Sequence, residues 1–165
     1  MTVALRAFQK VRAARPNTAF LLAGDFVSLD LARAIDPWLR QPGVVRLGHL
    51  PEHEFWRVAS ATDACVNLRY PSAAETSAIA IRFMGLGKPV IVSSGEETAR
   101  YPVDACLRVD PGPAEEEMLA EYMLSLRHLP GFGAEIGRRA ADHIRRCHSV
   151  DGVARLYWDI LCAHC

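Results

Sequence analysis

The stretch NLRYPSAAETSAIAIRFMGLGKPVIVSS, residues 67–94, decides the fold. It opens as the tail of a buried strand and turns small and polar at PSAAETS. It then carries apolar residues at helical spacing. It closes on GKPVIVSS, a second strand entered through Gly87 and Pro89. Both strands are short continuous apolar runs, not alternating ones, which is the pattern of parallel strands covered on both faces.

The same alternation extends in both directions. Residues 3–15 place Val3, Ala4, Ala7, Phe8 and Val11 on one helical stripe, ended by Pro16 and Asn17. TAFLLAGD reads as a buried strand running into a Gly-Asp turn. Ser28 is placed to cap a helix with apolar positions Leu31, Ile35, Trp38 and Leu39. GVVRLGHL is the next strand, and Pro51 opens the helix PEHEFWRVASAT, where a missing N–H costs little. ACVNLR, PVIVSS and ACLRVD are the remaining strands, and helices are predicted near 113–127, 132–147 and 150–163. Unbroken alternation predicts an α/β, Rossmann-like three-layer sandwich: a parallel sheet with helices on both faces, as a single domain over residues 1–165. The opening helix stands where such a fold usually places a strand, so the chain is expected to begin one strand late.

Composition narrows the function. Half of the 165 residues are hydrophobic and 23% are charged, as in a globular domain. Lys+Arg 19 balance Asp+Glu 19, which argues against nucleic acid as the main partner but leaves room for a small anion. No run of about eighteen apolar residues is present to span a membrane, and the amphipathic start is not a signal peptide. Cys65 and Cys106 lie in apolar runs and suit buried reduced thiols, which points to a reducing cytoplasm. The terminal CAHC, Cys162 to Cys165, lacks the further ligands that zinc needs, so no metal is expected there.

In an open α/β sheet, ligands gather at the carboxyl ends of the strands. Here those ends are Gly24-Asp25, Gly48-His49-Leu50, the run from Arg69 through Tyr70 and Ser72 to Glu75, and Ser93-Ser94-Gly95. In the third, Ala73 and Ala74 leave the backbone approachable. Glu75, Thr76 and Ser77 are expected at a helix start, whose free amides and dipole suit phosphate. Glu75 repels phosphate but accepts hydrogen bonds from sugar hydroxyls. It also completes an S-x-x-E capping box with Ser72, a purely structural role compatible with the first. Arg82, seven residues on, is expected on the same helix face as Glu75, either solvated or as a cation near pyrophosphate or ribose. Asp25 closes a turn or reaches a ligand hydroxyl. His49 and His53 read as surface residues, and Glu96, Glu97 and Glu115 to Glu117 as solvated first turns of helices. A receiver-like domain would need an aspartate after the third strand, where Arg69 stands.

The order of these features resembles the C-terminal, donor-binding domain of GT-B glycosyltransferases, in particular the group 1 (family 4) retaining enzymes. The resemblance runs over essentially the whole chain. It is carried by LRAFQKVRAARPNTAFLLAGD, VVRLGHLPEHEFWRVASATDACVNL, PSAAETSAIAIRFMGLGKPVIVSS and SVDGVARLYWDIL. It implies a nucleotide-sugar donor as substrate, no cofactor or metal, and transfer of a sugar to an acceptor hydroxyl. The helix opened by Glu75 would hold the diphosphate, His49 and Leu50 would touch the base, and Gly24 and Asp25 would lie near the nucleotide. An N-terminal acceptor domain, absent from this chain, would complete the enzyme, and any peripheral membrane contact would come through it. Alone, the chain is expected to be inactive.

Two departures stand out. The family pairs two glutamates with seven residues between them. Counted back from Gly87-Lys88-Pro89-Val90, these positions fall on Ala74 and Arg82, so Glu75 is one place late and an arginine replaces the ribose carboxylate. The basic segment that meets the diphosphate in the family has no counterpart in the chain. A degenerate, non-catalytic binding or assembly domain is the alternative reading.

Overall fold

Strands β1 (Phe20–Ala23) and β2 (Val44–Gly48) pair in parallel in the computed structural model, which describes residues 1–71 and 75–163. They belong to one of two compact units, formed by Met1–Thr62 with Asp110–His128. Helix α1 (Thr2–Ala14) buries Ala4, Leu5, Ala7, Phe8 and Val11. This is the stripe expected from the sequence, and the helix packs against α6 (Glu115–His128). Phe8 meets Phe20 at the foot of β1 with ring centroids 5.4 Å apart. Glu116 takes ion pairs from Arg6 at 2.9 Å and Lys10 at 2.8 Å, so this acidic first turn fastens a neighbouring helix rather than standing in solvent. Helix α2 (Leu29–Leu39) is capped by Ser28, whose hydroxyl accepts from the Leu31 amide at 3.2 Å, and α3 (Glu52–Ala61) follows Pro51.

The second unit comprises Asp63–Val109 and the chain from Leu129 onward. Its strands β3 (Cys65–Asn67), β4 (Val90–Ser93) and β5 (Leu107–Val109) form a parallel sheet in the order β3-β4-β5. The central strand is buried along its length, which explains why VIVS is an unbroken small and apolar run. The chain thus consists of parallel sheets with helices on both sides, as the alternation predicts. A short helix, α5 (Glu96–Ala99), follows β4 where Glu96 and Glu97 are expected to open one. It buries Glu97, at 9% exposure, so that residue is not the solvated glutamate expected of a helix's first turn.

Helix α4 (Ala78–Gly85) packs against α7 (Phe132–Cys147). The closest approach joins two glycines: a Cβ on Gly137 would overlap the Gly87 carbonyl oxygen and lie 2.7 Å from its carbon. Helix α8 (Val150–Cys162), capped by Ser149, buries no residue. His164 and Cys165 of the CAHC motif lie outside the described residues; Cys162 ends α8 and is exposed. Among the described residues no group of three His, Cys, Asp or Glu is placed to hold a metal ion, and no helix is long and apolar enough to cross a membrane.

Also in this unit, His143 of α7 is buried against Tyr101 and His148, with ring centroids 6.0 and 5.4 Å away. Burial lowers its pKa first, and the neighbouring His148 and Arg146 add to the effect. The unfolded chain, titrating near 6.5, therefore binds more protons than the native one just below that value. Stability contributed by neutral His143 is full above that range and is lost as the pH falls through it. Urea midpoints should drop between pH 7.5 and 5.5, and His143→Gln should reduce the drop.

Candidate functional site

The C-terminal end of β3 leads directly into the richest cluster of polar side chains. Arg69 lies two residues past β3, and its amide donates to Ser93 Oγ at 3.0 Å, which ties the ends of β3 and β4 together. From that anchor the guanidinium reaches forward. Its Nη2 donates to Glu75 Oε1 at 2.7 Å, and its Nη1 approaches the Glu75 carbonyl at 3.4 Å. The side chains are 34% and 68% exposed, so this is a surface ion pair.

The helix that follows starts later than the sequence suggests. Ser77 is the N-cap of α4, its hydroxyl accepting from the Ala80 amide at 3.3 Å. Glu75 and Thr76 therefore precede the helix, and Glu75 is not the N3 residue of a capping box. Ser72, the other half of that box, lies outside the described residues. The expectation that Glu75 and Arg82 share a helix face also fails, because the seven-residue spacing spans non-helical chain at one end. Arg82 is half-buried in the last turn of α4, where a cation complements the carbonyl end of the dipole. Ser77 does stand at the helix entrance, as the N-cap. Thr76 and Tyr70 are exposed, Tyr70 at 74%.

Between these elements lies a small enclosed cavity of about 10 Å³, room for roughly one water. Asn67, Arg69, Ser77, Ser93 and Glu97 contribute polar walls, and among the described residues Arg69 is the cation that lines it. Thr98 closes the floor by donating to Ser93 O at 2.8 Å. Arg108 of β5 donates to Thr98 O at 2.8 Å and Tyr101 O at 2.6 Å, fixing α5 against the sheet. A sugar or nucleotide is far too large for this space, so a ligand of that size would lie across its rim.

Of these residues, Ser93 stands at a strand end singled out from the sequence. Glu97, Thr98 and Arg108 do not. Their local signal was that of an ordinary helix turn and an ordinary strand, and only the parallel pairing of β4 with β5 brings Arg108 under α5.

The candidates of the first unit form a separate group. Gly24 N–H donates to Gly48 O at 2.6 Å, joining the ends of β1 and β2. Both glycines have positive φ, 106° and 66°, and a Cβ on either would meet nothing within 4 Å. The chain needs glycine here for its backbone angle and not for want of room. Asp25 and His49 are exposed, and Leu50 is half-buried. The next aromatic, Phe26, lies under Arg46, whose guanidinium carbon is 4.6 Å from the ring centroid.

No family model matches the chain, and no curated protein does. Solved structures do match, and the fold they share is that of GT-B glycosyltransferases. The sucrose-phosphate synthase of Thermosynechococcus elongatus is similar at a TM-score of 0.73 and 19% identity over 97% of this chain and 43% of that one. Anabaena HepE in complex with UDP-glucose is similar at 0.81 and 16% identity, over 99% of this chain and 45% of HepE. WaaG, a glycosyltransferase involved in lipopolysaccharide biosynthesis, is similar at 0.66 and 15% identity, over 86% and 37%. The chain thus spans less than half the length of these proteins. At such identities the likeness establishes the fold, and the chemistry must be argued from the residues.

Proposed function

We infer that the chain is the nucleotide-sugar-binding half of a retaining glycosyltransferase. The observation that carries this is the junction of Arg69, Ser77 and Ser93 at the strand ends, in a fold whose neighbour HepE is described with UDP-glucose. A guanidinium, a capping hydroxyl and a helix N-terminus all favour an anion at the rim of β3 and β4. Glu75, next to that rim, offers a carboxylate acceptor for sugar hydroxyls.

In the reaction the sugar's anomeric C–O bond to the diphosphate breaks and a bond to the acceptor oxygen forms. The acceptor proton leaves that oxygen, and negative charge gathers on the departing nucleoside diphosphate. This chain's groups would hold and neutralise that charge; an acceptor domain outside it would bring the hydroxyl. The sugar nucleotide is the substrate, with no cofactor. The reducing cytoplasm suits the thiols of Cys65 and Cys106. Any membrane contact would come through the acceptor domain.

Calorimetric titration with UDP-, GDP- and ADP-sugars tests the reading. One of the three should bind, and Glu75→Ala should weaken the sugar nucleotide by about tenfold relative to the bare nucleotide, one strong hydrogen bond's worth. Equal loss for both ligands would reduce Glu75 to a structural role. Absence of binding to all three would instead favour a degenerate assembly domain, a reading to which Arg82 in place of the second glutamate lends support.

A further inference from the structure

The ion pair between Arg69 and Glu75 joins a cation and an anion that both reach solvent. We propose that Arg69 is the diphosphate-binding cation of the site, and that its pair with Glu75 opens when the donor enters. The proposal rests on the donor-binding reading and assigns the two charges within it.

Three features carry it. The root of Arg69 is fixed, because its amide is held by Ser93 Oγ, while its guanidinium extends to a chain segment just ahead of α4. The head is therefore movable about a fixed base. Second, the pair is weak: an exposed carboxylate–guanidinium contact is worth about 0–1 kcal/mol. The second contact, at 3.4 Å to the Glu75 carbonyl, is long. Third, the competing ligand is stronger. A diphosphate offers two or more charges and a bidentate match to the guanidinium fork, close to the N-cap of α4. With Arg69 turned to phosphate, the Glu75 carboxylate loses its cation and gains the hydroxyls of the adjoining sugar. Glu75 and phosphate thus compete for one guanidinium.

This arrangement makes an unusual demand: the sugar-reading residue should inhibit binding of the bare nucleotide. Glu75→Gln should bind UDP about three- to fivefold more tightly than wild type, while its preference for UDP-glucose over UDP falls. Arg69→Gln should lose about tenfold or more for UDP. In the double variant Arg69→Gln, Glu75→Gln, the gain from the glutamine should vanish, because it depends on the arginine being released. Circular dichroism confirms that each variant is folded. A UDP affinity unchanged or weakened in Glu75→Gln, or a gain that persists without Arg69, overturns the exchange and leaves the donor reading standing. A second probe separates the two ideas from the other side. Inorganic pyrophosphate titrated into wild-type protein should shift the Arg69 guanidinium resonances. If it does so while no UDP, GDP or ADP ligand binds, the exchange stands and the nucleotide reading falls; if Arg69 does not respond, the exchange falls.

Discussion

Gly137→Ala should lower the thermal midpoint of the second unit by roughly 10 °C, about 3 kcal/mol of stability. The sign is the informative part. In an exposed helix interior, replacing glycine by alanine stabilises by about 1 kcal/mol, because alanine loses less backbone entropy. Here that gain is overwhelmed. The new methyl would overlap the carbonyl oxygen of Gly87 and lie 2.7 Å from its carbon, and these are main-chain atoms of the turn between α4 and β4. Gly87 has little freedom to yield: its φ is +72°, and the Lys88 amide that follows it donates to Phe83 O at 3.0 Å. Helix α7 must then back away from α4, loosening the wall that holds the candidate site. Arg138→Ala, on the exposed face one residue along, should stay within about 0.5 kcal/mol of wild type. A midpoint for Gly137→Ala equal to or above wild type would show that α4 and α7 do not approach each other in this way.

Arg108→Met should cost about 2–3 kcal/mol and also weaken sugar-nucleotide binding. The guanidinium donates to two main-chain carbonyls, Thr98 O at 2.8 Å and Tyr101 O at 2.6 Å. Charge-assisted bonds of this kind contribute about 1.5–3 kcal/mol each, offset here by water reaching a part-buried site. Methionine keeps much of the stem's volume, so packing changes little and the lost bonds dominate. The functional part follows from position. Thr98, one of the two partners, also donates to Ser93 O, and Ser93 Oγ holds the amide of Arg69. Freeing α5 therefore loosens the base from which Arg69 reaches out. Urea unfolding measures the first effect and calorimetry the second. Loss of stability with unchanged ligand affinity would mean that α5 does not organise the site.

Strand and helix identity was legible because the signals are local. Val90 to Ser93 is too uniformly small and apolar to be anything but a central parallel strand, and it is the buried middle of β3-β4-β5. Ser28 announces α2 by a cap that the structure confirms. The start of α4 differs from the sequence expectation because the sequence offers two polar residues as its cap. Ser72 with Glu75 makes the better sequence motif, yet Ser77 makes the bond. Glu75 instead pairs with Arg69, six positions earlier, and a pairing at that separation has no periodicity to betray it. Glu97 shows the same limit from the other side. A glutamate in a helix's first turn is ordinarily solvated, and only the tertiary arrangement of α5 buries this one. Where the polar cluster gathers was thus readable, since strand ends are. Which carboxylate faces solvent and which faces the core was not.

The paired glycines at the ends of β1 and β2 have a consequence for divergence. Gly24 and Gly48 are bonded to each other, each with empty space where a side chain would stand. Positive φ bars most residues from these positions although nothing fills them. What they display is therefore bare peptide, whose shape is set by backbone angles and is indifferent to the side chains around it. Such a surface can persist while the side chains around it are replaced. Mutational tolerance should accordingly be lowest at two of the emptiest points of the first unit.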